Sequence, residues 1–354
     1  MAQKTILFIS NGFAEDLVGA RLVRELSPQF NFLAIPIVGE GRPYREAGVE
    51  IIGPCWDLPS RGIAYGSEFN LKAEIKAGAI QLYWGKIRAL LKNRRQVDLV
   101  VGVGDYLSVL VSGLFIRKPI VYLWVTLSHF DVAAKYFLKK YAVMIFSRWA
   151  SWTHLPEFKV EFLGNPHMDT FEITGNDFGL DKSLKTVGIL PGSRQPAYNN
   201  LPILKEIIKL ILARTKVNFV FGLSPRIDRA EFETIEGVSL SYKFGDVLAV
   251  SDLVLGLAGT GNEQAAGLGK PIVTFWGGGP SREEELVKGH ARAFLKGAAE
   301  VLPPEPNLVA NTILSLLANS AKMGEMGRRG QEINGGRGST KLIAERIEQW
   351  LKSN

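Results

Sequence analysis

The sequence has little cysteine and no long uncharged apolar run. One cysteine, Cys55, stands among 354 residues, which excludes a disulfide scaffold and a cysteine-rich zinc module and favours a reducing compartment. The most apolar stretch, 99–125, is interrupted by Asp105, Arg117 and Lys118. It therefore falls short of the roughly 18 uncharged residues expected of a membrane-spanning helix. We expect a cytoplasmic protein without a transmembrane segment.

Several motifs of metal sites, nucleophilic catalysis and nucleotide binding are also absent from the sequence. The four histidines are isolated and show no ligand spacing, which disfavours a zinc site. There is no Gly-x-Ser-x-Gly nucleophile elbow, and no loop fits the Gly-x-Gly-x-x-Gly or Walker pattern. No Asp-x-Asp occurs, which disfavours a sugar transferase that depends on a metal held by that motif. We expect neither a metal nor a resident cofactor.

The composition is that of a globular protein, with 46% hydrophobic and 22% charged residues. The length exceeds one ordinary core and predicts two domains. The net charge is +7, from 42 basic and 35 acidic residues. That excess permits a nucleic acid, an anionic membrane surface or an anionic substrate as partner. We disfavour nucleic acid as the partner, because the basic residues are not accompanied by a cluster of aromatic side chains, outside the apolar helix faces, on which nucleobases could stack.

Short apolar runs alternate with amphipathic stretches, which predicts an α/β protein with parallel sheets covered on both faces. Strands are predicted at 5–9, 31–35, 50–52, 98–102, 119–124, 160–163, 186–190, 217–221, 238–240, 252–257 and 271–275. The pattern restarts after a polar run at 164–185. We therefore expect one domain over 1–165 and a second over 183–335, with a helix in 336–354 that packs back on the first.

Ligands of open parallel sheets bind at the carboxyl ends of the strands, and two loops of the first domain carry suitable chemistry. Asn11 and Gly12 precede two acids at a helix start, Glu15 and Asp16. These residues could bind an acceptor, although acids at a helix start are also favoured by its dipole. Asp105 follows a buried strand, where it is a candidate general base or a helix cap.

Three loops of the second domain carry an anion-binding pattern. Glycines let backbone amides approach a phosphate, an arginine supplies a planar fork, and a helix N-terminus favours negative charge. One turn into the helix, Glu263 or Gln264 could reach ribose hydroxyls. The candidate phosphate contacts are Gly192, Ser193, Arg194, Gly259, Thr260, Gly261 and Gly277. Each loop could equally be an ordinary capped turn.

Together these segments resemble the lipid-A-disaccharide synthases, and more particularly the divergent proteins called lipid-A-disaccharide synthase-related. Each match is weak alone, but they occur in the family's order over nearly the whole chain. The matching segments are 9–16 with Gly19 and Ala20, 162–169, 189–194, 251–260, and 265–273.

The resemblance implies a GT-B fold, in which two Rossmann-like domains face a nucleotide-sugar site in an interdomain cleft. It implies an inverting, metal-independent hexosyltransferase that moves a sugar from a UDP-sugar to a lipid-linked acceptor. Ser193 and Arg194 would hold phosphate, and the Gly259–Gly261 turn would supply amides. Asp105 would be the base. Of the acidic residues in the family's opening loop, this sequence keeps only Asp16. The family's ribose-binding glutamate corresponds to Gln264. We therefore expect altered acceptor recognition, with a sugar of GlcNAc or glucose type.

Two other functions stay open: a UDP-N-acetylglucosamine 2-epimerase-like enzyme, and a non-catalytic nucleotide or lipid binder.

Basic residues are concentrated in one segment of the first domain, since residues 56–95 hold eight basic and three acidic residues. Within this stretch apolar residues recur at helical spacing from Ile80 to Leu91. They would pack on the sheet or lie on an anionic membrane. We favour core packing for 86–95, and membrane contact for 60–84 and 136–141.

Overall fold

The computed structural model describes residues 3–59, 70–126, 132–153, 157–192, 196–225, 227–277 and 283–354. The chain divides into two compact units, one of Met1–Thr170 with Arg337–Asn354 and one of Phe171–Gly336. Each unit has its own parallel six-stranded sheet with helices on both faces. This is the arrangement that buried, β-branched strand runs favour.

The first unit is built on strands whose residues are almost all buried. The strands are β1 (Thr5–Ser10), β2 (Asn31–Pro36), β3 (Glu50–Ile51), β4 (Leu99–Gly104), β5 (Ile120–Trp124) and β6 (Ala142–Ser147). The helices are α1 (Phe13–Glu25), α2 (Arg42–Glu46), α3 (Leu71–Lys76), α4 (Ala79–Asn93), α5 (Tyr106–Val111) and α6 (Val132–Tyr141), with a π-helix at Ser112–Ile116. The strand order is β3-β2-β1-β4-β5-β6.

The second unit repeats this plan. Its strands are β7 (Thr186–Leu190), β8 (Asn218–Gly222), β9 (Val238–Ser241), β10 (Leu253–Gly256), β11 (Ile272–Phe275) and β12 (Ala299–Leu302). Its helices are α7 (Pro196–Asn199), α8 (Leu201–Leu212), α9 (Phe244–Val250), α10 (Thr260–Gly267), α11 (Glu284–Phe294), α12 (Pro306–Leu317) and α13 (Ser320–Asn334). The strand order is β12-β11-β10-β7-β8-β9.

Both orders are that of a Rossmann fold, and in each sheet the direction of winding reverses between two central strands. The reversal lies between β1 and β4 in the first unit and between β7 and β10 in the second. Crevices at such reversal points are where open α/β sheets bind their ligands. The loops that follow these four strands are therefore where ligands are expected to bind.

The last helix, α14 (Ser339–Ser353), lies against α1 in the first unit. Its start is held by Asp169, at the end of a short 3-10 helix. The Asp169 carboxylate accepts hydrogen bonds from the Gly338 amide at 2.6 Å and the Thr340 amide at 2.9 Å, and from the hydroxyls of Ser339 and Thr340. A buried carboxylate at a helix N-terminus stabilises that end of the helix.

The predicted strands are present with one exception. Residues 160–163 are not a strand, because only Glu161 pairs there, in an isolated bridge with Phe146. Two strands are present that were not predicted. One is β6, which directly follows the aromatic and basic residues of α6, and the other is β12, a four-residue edge strand whose sequence contains a glutamate.

Candidate active site

The loops after β1 and β4 meet at the reversal point of the first sheet. The Asn11 side-chain amide donates to Asp105 Oδ2 at 2.6 Å. The other carboxylate oxygen, Oδ1, accepts from the Leu107 amide at 2.9 Å and so caps α5. Capping and catalysis were alternative predictions for Asp105, and the structure confirms the cap, which uses Oδ1 alone.

Partial burial changes the proton affinity of the Asp105 carboxyl group. Desolvation raises the pKa of Asp105 above its usual value, while the hydrogen bonds from Leu107 and Asn11 act in the opposite direction. The net shift is upward. A carboxylate with a raised pKa is a stronger base, so the shift suits a residue that takes a proton from a hydroxyl near neutral pH.

Two glycines let the loops approach each other. Gly12 has φ 152° and Gly104 has φ 122°, a backbone conformation that residues with a side chain rarely adopt. A Cβ on Gly12 would lie 2.6 Å from Glu15 Oε2, and one on Gly104 would lie 3.1 Å from Glu15 Cγ. Glu15 therefore lies against both glycines, with its carboxylate beside Gly12 and its Cγ beside Gly104.

Asp16 is placed differently from the other two acids. It is 1% exposed, and its Oδ1 accepts from the Ser10 hydroxyl at 2.5 Å, which in turn accepts from the Tyr44 hydroxyl at 3.1 Å. Burial, reinforced by the charge of Asp16, raises the pKa of Tyr44 well above its usual value. Gly19 makes room for this phenol, because a Cβ there would lie 2.0 Å from its oxygen.

Lys86 lies within the fold near the same residues. It is buried and donates to the Pro36 carbonyl at the end of β2. Burial lowers the pKa of its ammonium group, while the charges of Cys55 and Asp16 oppose that shift. Desolvation raises the pKa of the Cys55 thiol, which donates to the Gly39 carbonyl at 2.9 Å. Both side chains therefore hold the segment that follows β2.

The loops after β7 and β10 meet at the reversal point of the second sheet. The Leu257 amide donates to the Leu190 carbonyl at 2.7 Å. Gly192 has φ 105°, and a Cβ there would lie 3.6 Å from the Leu257 carbonyl oxygen. Helix α10 begins one residue after Gly259, and its first turn is partly exposed. The Asn262 and Glu263 amides of this turn donate to the Gly259 carbonyl, so the Thr260 and Gly261 amides are the ones that a helix N-terminus would offer to an anion.

Ser193 and Arg194, the predicted phosphate ligands, lie outside the described residues. Gly277, at the end of β11, lies against the buried side chain of Asn200, since a Cβ on Gly277 would be 2.3 Å from Asn200 Oδ1. Asn200 makes no side-chain bond that caps α8. It instead stands between the start of α8 and the loop after β11.

The two candidate ribose ligands differ in their surroundings. Glu263 is 1% exposed, and its Oε1 lies 3.0 Å from His290 Nε2 on α11. Gln264 is 8% exposed. The His290 ring meets Phe294 edge-on, with 5.3 Å between centroids. No role was predicted for His290, because it is isolated in the sequence and nothing in the local pattern links it to a glutamate 27 residues earlier.

An exposed apolar patch covers part of the first unit. On α4 the side chains of Ala79, Leu82, Lys86 and Leu90 are buried, while Ile80 and Trp84 are 63% and 56% exposed. The expectation of core packing for 86–95 is therefore correct for Lys86 and Leu90 and wrong for Leu91. We define the patch by its exposed side chains, which are Leu71, Ile75, Ile80, Tyr83, Trp84, Leu91, Leu114, Val132 and Tyr136.

The patch spans four elements, which are α3, α4, the π-helix and α6. Helix α4 contacts the π-helix, where Gly113 lies so close to α6 that a Cβ would be 2.3 Å from Phe137. Basic side chains accompany it, with Arg88 over Trp84 at 5.7 Å and Lys140 over Tyr136 at 5.6 Å. Residues 60–69, included in the predicted contact, lie outside the described residues. Among the helices that the structure describes, none has the length and apolarity to cross a bilayer.

Comparison with known proteins confirms the resemblance drawn from the sequence. The chain is 26% identical over 304 residues to the lipid-A-disaccharide synthase of Geobacter metallireducens, covering 77% of this chain and 74% of that one. It is 24% identical over 384 residues to a Chlorobaculum tepidum protein, covering 98% and 100% of the two chains. That protein is a UDP-N-acetylglucosamine–N-acetylmuramyl-(pentapeptide) pyrophosphoryl-undecaprenol N-acetylglucosamine transferase. No family model matches the chain.

Solved structures establish the fold as GT-B. The calicheamicin glycosyltransferase CalG4 superposes with a TM-score of 0.70 at 17% identity, with 99% of each chain covered. A putative UDP-N-acetylglucosamine 2-epimerase from Listeria monocytogenes superposes with a TM-score of 0.64 at 16% identity, covering 99% of this chain and 96% of the other. The two relatives found by sequence similarity are both sugar transferases, and they support an enzyme of that kind.

Proposed function

We propose that this protein is an inverting, metal-independent hexosyltransferase that moves a sugar of GlcNAc or glucose type from a UDP-sugar to a lipid-linked acceptor. The observation that carries the proposal is the hydrogen bond between Asn11 and Asp105 at the reversal point of the first sheet. It holds a partly buried carboxylate, whose pKa is raised, at the position where such sheets bind ligands.

The second unit would bind the donor. The first turn of α10 offers backbone amides and the positive end of a helix dipole to the pyrophosphate. Ser193 and Arg194 would add charged and neutral donors, as the resemblance implies. As the glycosidic bond breaks, negative charge develops on the leaving UDP, and fixed donors stabilise it where it appears. Glu263 or Gln264 would contact the ribose, and Gly277, whose Cβ position is filled by Asn200, would offer the nucleotide only its backbone.

The first unit would bind and activate the acceptor. Asn11 and Gly12 would position its hydroxyl, and Asp105 would accept the hydroxyl proton. The freed oxygen would attack the anomeric carbon from the face opposite UDP, so that one C–O bond forms, the bond to UDP breaks and the configuration inverts. Glu15 is the second candidate for the base, because its carboxylate lies beside Gly12 and its Cγ beside Gly104, the residue before Asp105. Asp16, being buried, would hold the loop rather than touch the acceptor.

The apolar patch supports a lipid-borne acceptor. Exposed aromatic and aliphatic side chains beside lysines and arginines are the composition of a surface that lies on anionic lipid. Such a contact would place the first unit at the cytoplasmic face of a membrane, next to an acceptor anchored there. The local excess of bases in 56–95 would add electrostatic attraction to that face.

An epimerase of the kind named among the structural neighbours is the second candidate, favoured by the shared fold. It would convert a UDP-sugar without a lipid acceptor. A non-catalytic binder of nucleotide or lipid is the third. Product analysis with and without membrane lipid separates all three, since the transferase modifies a lipid, the epimerase changes only the sugar, and the binder changes neither.

Nucleotide binding is the first test of the proposal. UDP should raise the melting temperature of the protein, and Arg194→Ala should weaken this shift because a phosphate ligand is lost. Arg229→Ala is a matched control, since Arg229 lies in the same unit and pairs with Glu233 at the surface. Stabilisation by no nucleoside diphosphate at all would contradict the proposal.

A further inference from the structure

A groove lies between α11 and β12, the edge strand of the second sheet. It encloses about 300 Å³, which is at the lower end of the volumes of small-molecule sites. At one end of the groove the chain turns from α11 into β12. In this turn the Ala298 amide donates to the Leu295 carbonyl at 2.8 Å, and Gly297 has φ 78°.

The floor of the groove is apolar. Four aliphatic side chains line it, two from the α11 segment and two from β12, namely Ala291, Leu295, Ala299 and Val301. The two β12 residues are two positions apart and therefore point to the same face of the sheet. Glu300, between them, points to the other face, where its carboxylate lies 2.6 Å from Lys322 Nζ. The described residues that line the groove include no carboxylate.

Three basic side chains line the same groove, and they are Lys288, Arg292 and Lys296. The first two are one helical turn apart on one side of α11, and the third follows in the turn after the helix. Lys288 pairs with Glu284, and Arg292 lies 3.5 Å from Glu285. Ion pairs that are this exposed are weak, so they do not prevent the binding of an anion. Lys296 forms no ion pair with any residue that the structure describes.

We infer that this groove binds an anionic single-chain amphiphile, such as a fatty acid, with its chain on the apolar floor and its head among the three bases. The chain loses its contact with water there, and the bases balance the charge of the head. A zwitterionic amphiphile of the same chain length lacks the second contribution, and inorganic phosphate lacks the first. The inference is independent of the proposed function, because neither the sugar donor nor its acceptor enters it.

The first experiment measures the dissociation constants of four probes by calorimetry, below their critical micelle concentrations. The probes are decanoate, octanoate, decylphosphocholine and inorganic phosphate. We expect decanoate to bind, and octanoate to bind roughly three- to fifteenfold more weakly because it has two fewer methylene groups. Decylphosphocholine, which has no net charge, should bind at least about fivefold more weakly than decanoate. Inorganic phosphate should show no measurable binding.

Two variants test the rim and the floor separately. Arg292→Gln combined with Lys296→Gln should weaken decanoate binding by at least about fivefold. The matched control is Lys182→Gln combined with Arg229→Gln, which removes the same charge from exposed ion pairs elsewhere in the second unit and should leave binding unchanged. Ala299→Phe leaves the charge unaltered but fills the floor, and it should abolish binding.

A photolabel locates the ligand directly. Decanoate that carries a diazirine on its chain should label the peptide 288–301, and excess decanoate should prevent the labelling. Labelling confined to other segments, such as the apolar patch of the first unit, would overturn the inference. The inference would also be overturned by a wild type that does not bind decanoate, or by equal losses in the rim variant and its charge control. Retained binding in an Ala299→Phe protein of unchanged melting temperature would overturn it too. If that variant is unfolded, the rim variant and the photolabel decide.

Discussion

The Asn11 amide and the Asp105 carboxylate are joined by a hydrogen bond of 2.6 Å across 94 residues of sequence. The bond connects the loops after β1 and β4, the two strands at which the first sheet reverses its winding. It leaves Asp105 oriented by a neutral donor that does not remove its negative charge. A base held in this way is ready to accept a proton without first rotating into place.

Asp105→Asn should abolish proton acceptance while keeping the shape of the site. We expect the rate of sugar transfer to fall by roughly 10²–10⁴-fold, with UDP binding unchanged because the nucleotide contacts lie in the second unit. The measurement is initial rate and UDP affinity on the same preparation. Glu15→Gln is the matched comparison. If it inactivates the protein while Asp105→Asn does not, the base is Glu15.

Asn11→Ala should shift the pH dependence of the reaction. The hydrogen bond from Asn11 lowers the pKa of Asp105, so its removal raises that pKa further. The carboxylate form then persists only at higher pH. We therefore expect the acid limb of the kcat/KM profile to move upward in pH, as measured from pH 4 to 8. An unchanged or downward-shifted limb would show that another group controls it.

Ile80→Ser combined with Trp84→Ser should weaken membrane binding. Both side chains are more than half exposed in the apolar patch, and transferring them into lipid is favourable. We expect roughly tenfold or greater loss of binding to phosphatidylglycerol vesicles, measured by sedimentation at low salt. Leu286→Ser, in the second unit, removes a leucine that is 55% exposed and lies outside the patch. Equal losses in the two proteins would contradict the assignment.

Asp169→Ala should destabilise the first unit. It removes an acceptor of four hydrogen bonds at the start of α14, and buried donors left without a partner lose their hydration. We expect the free energy of unfolding to fall by about 3 kcal/mol, measured by urea denaturation. The control is Asp181→Ala, whose exposed carboxylate bonds only with nearby Ser183. A small loss at Asp169 would mean that α14 is held by its apolar face alone.

Much of the fold could be predicted because strand and helix periods depend on local sequence. The buried runs at 5–9, 99–104 and 186–190 alternate with amphipathic helices, and this alone favours two parallel sheets. The edge strand β12 has no such signal, because its four residues are only partly buried. On α4 the exposure of Ile80 and Trp84 fits the membrane contact predicted for 60–84, which itself stays a prediction. The exposure of Leu91 was not predicted, since periodicity shows that a helix has an apolar face but not whether that face is covered.

The site was predicted in its residue types more than in its contacts. Asn11, Glu15 and Asp105 were each suggested by their place at a strand end, and the fold brings them together as parallel strands must. The Tyr44–Ser10–Asp16 chain and the Glu263–His290 pair carry no such signal. They join residues that only tertiary packing makes neighbours, and their sequence separations have no regular period.

The most direct test of the account is incubation of the protein with a set of UDP-sugars and total membrane lipid, followed by mass spectrometry of the lipid fraction. The account predicts that one lipid gains the mass of a single hexose or N-acetylhexosamine residue, that UDP is released in equal amount, and that Asp105→Asn forms no such product. Consumption of a UDP-sugar with free sugar or an epimer as the sole product, and no modified lipid, would contradict it.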